Sequence, residues 1–285
     1  MKRYLAVVVG LIVLLCAAVG LVPSLRAQVF GVPLRFEWKQ GQTQTTRTIL
    51  EGKAKLEVGG FAAFTLPEAA RQLIGQDIPF KVESTSRQFV RSVDAEGNAE
   101  VEMTPQGGTV EISRAGKTYK QPIPREAPSV WRVDPRGRVL AGDGKAAGHD
   151  KVIGEVLCGF LPGDRRRPGA SWSENLDVPL DVENVKVHMK GVVTYHFTGL
   201  QTLAGTAQIR SEQDVKIELS MPGVMGVNLE GTLKGTGNTD FDPSKSEITA
   251  SKGQGELDMG LSVGPMGSSA HLVASFSVRT ENVQK

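Results

Sequence analysis

The chain has 285 residues, with 33 Lys and Arg against 31 Asp and Glu and only two cysteines. Three of the basic residues lie in the first 27 positions, which contain no acid, so the remainder carries 30 basic against 31 acidic side chains. A near-neutral chain offers no strongly basic surface to a phosphate backbone, so we expect no nucleic-acid partner. Cys16 lies in those first 27 positions, so Cys158 is the single cysteine of the remainder. We therefore expect no disulfide within the remainder, whose fold must be stabilised by its own hydrophobic core.

The N-terminal segment 1–27 has the three parts of an export signal. Met1-Lys2-Arg3 is positively charged, residues 5–22 are apolar, and a short polar stretch ends at Ala27. We expect cleavage after Ala27, although Leu25 is larger than the residue usual two places before the cut. The apolar run is close to the length that spans a bilayer, so an uncleaved segment would anchor the protein to the inner membrane. Both outcomes predict an exported protein, either periplasmic or secreted.

Residues 28–145 have the alternating apolar pattern of an N-terminal β half. Strands are predicted at 34–39, 43–49, 53–58, 80–93, 99–103, 109–113, 117–120 and 131–140. The run of turn formers from Asp94 to Asn98 predicts a hairpin between two of them. A short helix is predicted over 67–74, because Pro67 is typical of a first helical turn and Gly75 of a helix end.

The pattern changes over 146–169, which we assign to a helix followed by a linker. Apolar residues at 152, 153, 156, 157 and 160 recur at helical spacing, and Gly159 and Pro162 end the pattern. The stretch from Gly163 to Gly169 is the most linker-like in the chain and predicts a domain boundary. It contains Arg165-Arg166-Arg167, which is either an anion-binding cluster or a solvated linker, since clustered guanidiniums bind phosphate and carboxylate.

Residues 170–285 are predicted to form a C-terminal β-meander half. The alternating apolar residues of its first strands are Val185, Val187, Met189, Val193, Tyr195, Phe197, Val215, Ile217 and Leu219. The strands are about 12 to 16 residues long, or roughly 40 to 50 Å. Glycines at 191, 231, 235, 253 and 255 are expected to supply bulges and bends. The predicted fold is mainly β, with two similar antiparallel β-meander halves forming curved or half-barrel sheets and one or two short helices.

Identical residues at a fixed separation support the similarity of the two halves. Five identical pairs share one separation of 108 positions: Phe89 and Phe197, Gly97 and Gly205, Ala99 and Ala207, Asp134 and Asp242, Pro135 and Pro243. They mark the end of a strand, two turns and the strand between those turns. This predicts an internal repeat, with the alternative that all-β chains reuse the same turn chemistry.

No motif for catalysis, cofactor binding or metal binding stands out. His188 and His196 share one face of a strand but lie eight residues apart, roughly 26 Å at the rise of a strand, which argues against a metal site. Asp134 and Asp242 stand in turn-forming contexts, where carboxylates accept hydrogen bonds from nearby backbone amides. No Gly-x-Ser-x-Gly motif is present. We therefore expect no enzyme activity, no cofactor and no metal.

Two apolar hairpin tips are the unusual feature of the C-terminal half. In an up-and-down meander every second turn lies at the same end, so the tips at 221–226 and 264–267 are expected to be neighbours. Methionine at a tip suits an adaptable contact with a lipid, a hydrophobic small molecule or a protein. The alternative is that the tips pack against the predicted helix or the first half of the chain. The candidate contact residues are Met221, Pro222, Val224, Met225, Pro265 and Met266.

Several short motifs carry a resemblance to a known group of proteins. They are Leu161-Pro162-Gly163-Asp164, Pro168-Gly169-Ala170-Ser171-Trp172, a Tyr-x-Phe strand, Gly205-Thr206-Ala207-Gln208-Ile209 and Phe241-Asp242-Pro243. Over most of its length the chain resembles a family of uncharacterised exported bacterial β-sheet proteins. The resemblance implies export and a β fold and supplies no catalytic residues.

Together these observations predict an exported cell-envelope protein without enzyme activity that binds an apolar ligand or lipid on the concave face of its sheet. The alternative is a structural or protein-interaction module of the envelope, docking a partner through its hairpin tips or edge strands.

Overall fold

The computed structural model describes residues 32–59, 74–114, 117–142, 161–182, 185–201, 206–220, 227–263 and 268–283. For residues 178–182, 185–187, 219–220, 227–229, 261–263 and 268 only the backbone is described. These residues form fourteen strands and no helix, which confirms the prediction of a mainly β fold. The segment 1–27, predicted as an export signal, lies outside the described residues.

The fourteen strands differ widely in length, from two residues to seventeen. In chain order they are β1 Val32–Pro33, β2 Thr43–Gly59, β3 Asp77–Val93, β4 Ala99–Arg114, β5 Lys117–Ile123, β6 Ser129–Val133, β7 Val139–Gly142, β8 Arg165–Arg166, β9 Ser171–Val182, β10 Val185–Gln201, β11 Thr206–Ser220, β12 Val227–Asp242, β13 Glu247–Val263 and β14 Ser268–Asn282.

Twelve of these strands form a single antiparallel sheet. Its order is β7-β6-β4-β3-β2-β14-β13-β12-β11-β10-β9, and β5 pairs with β4 beside β6. The two predicted halves are therefore adjacent parts of one sheet, joined where residues 46–59 of β2 pair with β14. Within the described residues β7 and β9 do not pair with each other, so the sheet is open. The antiparallel meander is confirmed.

Alternation along each strand gives the sheet a buried inner face and an exposed outer face. In β10 the side chains of Met189, Val193 and Tyr195 are buried, whereas Lys190 between them is exposed. In β11 the predicted inward residues Val215 and Ile217 are 2% and 0% exposed. This period of two is what a strand with one covered face requires.

The strand glycines have a different role from the predicted one. The pairing register is continuous through all five of them, and the register shifts fall elsewhere, as between Phe197 and Gly199 and between Asp240 and Phe241. A Cβ atom at Gly191 would lie 2.2 Å from the carbonyl oxygen of Asp214, and one at Gly255 would lie 2.6 Å from Cζ of Phe276. These glycines therefore permit close approach of neighbouring atoms, and the expectation of bulges at them is wrong.

The two predicted helices fall almost wholly outside the described residues. Of the segment 67–74 only Ile74 is described, and it forms a parallel bridge with Leu56. Of the segment 146–161 only Leu161 is described, and it is fully buried.

The backbone of the predicted linker pairs with the segment that begins at Val32. Arg165–Arg166 forms strand β8 and pairs with β1. The backbone amide of Leu34 donates to the carbonyl of Asp164, and that of Gly163 donates to the carbonyl of Leu34. Gly163 has a φ of +81°, a conformation that glycine adopts at little cost. Most side chains of this stretch are nevertheless exposed, as expected of a solvated segment, and the domain boundary stays a prediction.

The two edges of the open sheet, near β7 and near β9, approach each other at the end of the strands where the β6–β7 turn lies. The amide of Phe36 donates to the carbonyl of Pro135, and the amide of Leu161 donates to the carbonyl of Arg136, both in the turn between β6 and β7. On the other side, the amide of Gly169 donates to the carbonyl of Phe197 in β10. The segments around the short ribbon of β1 and β8 thus contact both edge regions of the sheet. The sheet must curl for both contacts to form. We call the curled sheet the cup.

Candidate functional site

The inner face of the cup carries a large cluster of buried apolar side chains. One buried cluster joins Leu176 of β9 to Met189 of β10, Leu257 of β13, Phe276 of β14 and Phe80 of β3, so it spans the sheet. Its other buried members are Leu50, Ala54, Val82, Val215, Ile217, Leu233, Met259, Ala274 and Val278. No second layer of strands or helices covers this face in the described residues. Curvature brings such side chains together, as in other strongly twisted sheets.

Phe276 lies at the centre of this face between two glycines. In the sheet register it is paired with Gly52 of β2 on one side and Gly255 of β13 on the other. A Cβ atom at Gly52 would come within 2.8 Å of Phe276 and of Phe80. The missing side chains therefore make the space that the two rings fill.

A row of hydroxyl groups crosses the inner face below the apolar cluster. Its members, on five adjacent strands, are Thr239, Ser251, Thr280, Thr48 and Ser84. The Thr239 and Ser251 hydroxyls lie 3.2 Å apart, and those of Thr48 and Thr280 lie 3.4 Å apart. Hydrogen bonding between these hydroxyls offsets the cost of their burial.

Beyond the hydroxyl row, the segment 32–38 closes one end of the cup as an aromatic floor. The ring of Phe36 stacks on Trp38 at 4.4 Å and meets Phe241 edge-on at 5.9 Å. Indole Nε1 of Trp38 donates to the carbonyl of Asp134, and the amide of Glu37 donates to the hydroxyl of Ser246. The floor is thus fixed to the turns of both halves of the sheet.

A half-buried ion pair joins the two ends of the sheet beside the floor. Arg136 Nη2, on the β6–β7 turn, donates to Glu174 Oε1 on the edge strand β9, and the two side chains are 25% and 22% exposed. Arg136 Nε also donates to the carbonyl of Leu161 at 2.6 Å. Glu174 stands in phase with the buried Trp172 and Leu176, so it occupies an inner-face position.

The opposite end of the strands holds the strand ends that flank the predicted apolar tips. Residues 221–226 and 264–267, including Met221, Pro222, Val224, Met225, Pro265 and Met266, lie outside the described residues. The strand ends that flank the tips are adjacent, since Ser220 pairs with Asn228, and Val263 pairs with both Val227 and Ser268. The expectation that the two tips share one end stays a prediction, which the adjacency of these strand ends supports.

The outer face is polar and carries an open cleft of about 680 Å³ across β10 to β14. Carboxylates of Glu212, Asp214 and Glu256 line it together with Lys234. Cross-strand ion pairs cover other parts of this face, such as Lys81 with Glu51 at 2.5 Å. Sequence patterning indicates polar residues here but gives no sign of a concavity.

The described histidines lie on the outer face, apart from one another. Nε2 of His188 lies 2.6 Å from Oδ1 of Asp177, and Nε2 of His271 lies 2.7 Å from Oδ1 of Asp258. The hydrogen bond with His188 lowers the pKa of Asp177 from its usual value. His196 lies 2.7 Å from the hydroxyl of Ser171. In the described residues no group of three or more His, Cys, Asp and Glu side chains is arranged to hold a metal ion.

The aspartates of the turns have the structural role that the sequence predicts. Oδ1 of Asp134 accepts hydrogen bonds from the amides of Arg136 and Arg138, and Oδ1 of Asp242 accepts one from Ser244. Asp94 does the same in the β3–β4 turn. The side-chain hydrogen bond from Asn98, assisted by Arg132, lowers the pKa of Asp94 to about 2.

The arginine triplet begins in strand β8, which pairs with β1 at the start of the aromatic floor. Arg165 and Arg166 lie in β8, and Arg166 Nε donates to Oδ1 of Asp164 at 2.8 Å.

Throughout the described ranges there is no helix long and apolar enough to cross a membrane.

Comparisons with known proteins give no family for the chain. No family model matches it, and no curated protein matches it. Among solved structures it is similar to DynF from the dynemicin biosynthesis pathway of Micromonospora chersina, at 10% identity and a TM-score of 0.28, over 93% of this chain and 90% of that one. A mutant porin of Rh. blastica matches at 7% identity and a TM-score of 0.21, over 85% of this chain and 100% of that one. Similarities this low carry no argument about function.

Proposed function

We propose that this chain is an exported cell-envelope protein without enzyme activity that binds an apolar ligand, such as the acyl chain of a lipid, against the inner face of the cup. The export part of the proposal rests on the charged, apolar and polar parts of segment 1–27. Sequencing the N-terminus of the protein recovered from a periplasmic fraction tests it. A first residue of Gln28 supports cleavage after Ala27, whereas recovery only from the cytoplasm contradicts export.

One observation carries the binding part of the proposal. The inner face forms a continuous apolar surface from the edge strand β9 to β3 on a single curled sheet. The aromatic floor closes it at one end. A surface that is concave, apolar and closed at one end has the form of a site for an elongated hydrophobic ligand.

Binding is tested with delipidated protein and a fluorescent fatty acid, cis-parinaric acid, together with native mass spectrometry after exposure to an envelope lipid extract. We expect saturable fluorescence and a protein peak heavier than the bare chain. A spectrum that contains only the bare chain, with no saturable fluorescence, contradicts the proposal.

Two neighbouring residues of β14 provide a matched pair of variants. Leu272 is half-buried and packs against the inner cluster, whereas Val273 on the outer face is 39% exposed. We expect Leu272→Glu to weaken probe binding by at least about tenfold, because a carboxylate is costly to bury against an acyl chain. Val273→Glu is expected to leave binding unchanged. Melting curves of both variants check that each is folded at the assay temperature, and equal effects on binding would place the ligand elsewhere.

A second candidate function is a protein-interaction module, and the edge strand β5 favours it. This strand pairs only with β4 in the described residues, and Tyr119 on it is 59% exposed. Exposed strand edges can accept a strand from another protein. A photo-crosslinker placed at Tyr119 or at Val224 is expected to give one dominant protein adduct in whole cells if this function is correct. Absence of an adduct at both positions contradicts it.

A further inference from the structure

The inner face is too well covered to accept a ligand in the closed cup. Ile217 and Leu233 are 0% exposed, and Met189, Leu257 and Met259 are 1% exposed. If the apolar ligand of the proposed function binds there, the cup must open. A ligand that binds only an open form acts by shifting the population toward that form.

The weakest line in the wall of the cup is the seam between the β6–β7 turn and β9. Adjacent long strands are held by long backbone ladders, such as the one between β12 and β13, which is continuous from Val227 to Asp240. No ladder joins β7 to β9 in the described residues. Separating the wall at the seam therefore breaks far fewer backbone hydrogen bonds than separating any pair of long strands.

Arg136 is the residue that holds this seam from the turn side. Its Nη2 donates to Glu174 of β9, its Nε donates to the carbonyl of Leu161, and its own carbonyl accepts from the amide of Leu161. Gly163 fits closely against it, because a Cβ atom there would lie 3.2 Å from Cγ of Arg136. The Arg136 side chain is therefore held by residues 161–163, just before β8, independently of Glu174.

Glu174 is the part of the seam that can be released. It lies on a strand whose other edge is free in the described residues, and it points to the inner face between Trp172 and Leu176. Charge-assisted hydrogen bonds are about twice as strong as neutral ones, so this contact contributes much of what joins β9 to the turn. An inward charge on an edge strand also discourages pairing with another strand.

We propose that the Arg136–Glu174 ion pair is a clasp that regulates access to the apolar interior. With the clasp closed, β9 is held against the β6–β7 turn and the inner face is covered. With the clasp open, β9 moves away from the turn and a hydrophobic ligand enters along the seam. The role in access rests on the proposed function, whereas the role in holding β9 does not.

Opening is measured as a distance between spin labels on the two sides of the seam. Labels are placed at Leu140→Cys in β7 and Asn175→Cys in β9, both exposed, in a chain that carries Cys16→Ser and Cys158→Ser. Glu174→Gln keeps the shape of the side chain and removes its charge. We expect this variant to add a longer distance to the distribution and to take up cis-parinaric acid roughly tenfold faster, the factor expected for the loss of one charge-assisted hydrogen bond.

Arg132→Gln is the matched control. Arg132 also pairs with an acid near this end of the cup, but its partner Asp94 belongs to the neighbouring turn on the same side of the seam. We expect this variant to change neither the distance nor the uptake rate. Arg136→Gln is a second test of the clasp and should behave like Glu174→Gln.

The outcomes separate the two proposals. If the probe binds but the clasp variants leave the distances and the uptake rate as in the original chain, the clasp is refuted and the proposed function stands. If no variant binds the probe, the proposed function and the role of the clasp in access are both refuted, whatever the distances are.

Discussion

The two faces of the same strands differ in what they contribute to the molecule. On β14 the inward side chains of Ala274, Phe276 and Val278 are buried, whereas Ser275 and Ser277 between them are exposed. Removal of apolar surface from water on the inner side drives folding. The outer side carries ion pairs between half-exposed groups, which contribute little to stability. The stability of the fold therefore depends on the inner face, while the outer face presents charged and polar groups to the solvent.

The largest effect is expected from Phe276→Ala. This side chain is 5% exposed and fills the space beside Gly52 and Gly255, so its loss leaves a cavity in the middle of the inner cluster. We expect the free energy of unfolding in urea to fall by about 4 kcal/mol. Ser277→Ala, at the next position and on the outer face, is the control and should change it by less than about 0.5 kcal/mol. Comparable losses would mean that the faces do not differ as described.

A smaller loss is expected from Gly255→Ala on β13. The added Cβ atom would lie 2.6 Å from Cζ of Phe276, so the ring must move out of its place. Overpacking of this kind costs about 2 kcal/mol in the free energy of unfolding. The control is Gly260→Ala on the same strand, where the nearest atom, the carbonyl oxygen of Glu230, would be 3.9 Å away. Its unfolding midpoint should stay unchanged, and an equal shift for both would point to the strand backbone as the cause.

The smallest effect is expected at the polar end, from Asp94→Asn, and it depends on pH. The pKa of Asp94 is lowered to about 2 from its ordinary value of 3.8, first by the side-chain hydrogen bond from Asn98. A lowered pKa stabilises the fold above the ordinary value, and the contribution is lost as the pH falls through about 2. The variant should therefore unfold at lower urea than the original chain near pH 6, with the difference shrinking between about pH 4 and 2. A difference independent of pH would contradict this cause.

Local features of the fold are predictable from the sequence, whereas its long-range contacts are not. The alternation through Val215 and Ile217 predicts which face is buried, and the context of Asp134 predicts its turn. The pairing of β2 with β14 has no local signal, because it depends on which strand edges remain free after all the hairpins have formed. The polar composition of segment 163–169 agrees with its mostly exposed side chains, but it gives no sign that Arg165–Arg166 pairs with β1.

In the candidate site, too, the local features are predictable from the sequence and the long-range contacts are not. The apolar composition of the inner face is predictable strand by strand, but the floor and the seam are not. A signal for the seam is present, since Glu174 stands in phase with Trp172 and Leu176 and a charge at such a position needs a partner. The sequence could not name that partner, because Arg136 lies 38 positions away in another hairpin.

The pairing of β14 with β2 has a consequence for the order in which the chain folds. Arg47 and Glu281, whose side chains meet across this junction, are 234 positions apart in the sequence. Both β2 and β13 therefore keep an unpaired edge until β14 has been synthesised. Closing so long a loop is slow, which places this chain among folders with high contact order. Until β14 emerges, a growing chain therefore holds two separate groups of paired strands, β2 with β3 and β12 with β13, rather than one sheet.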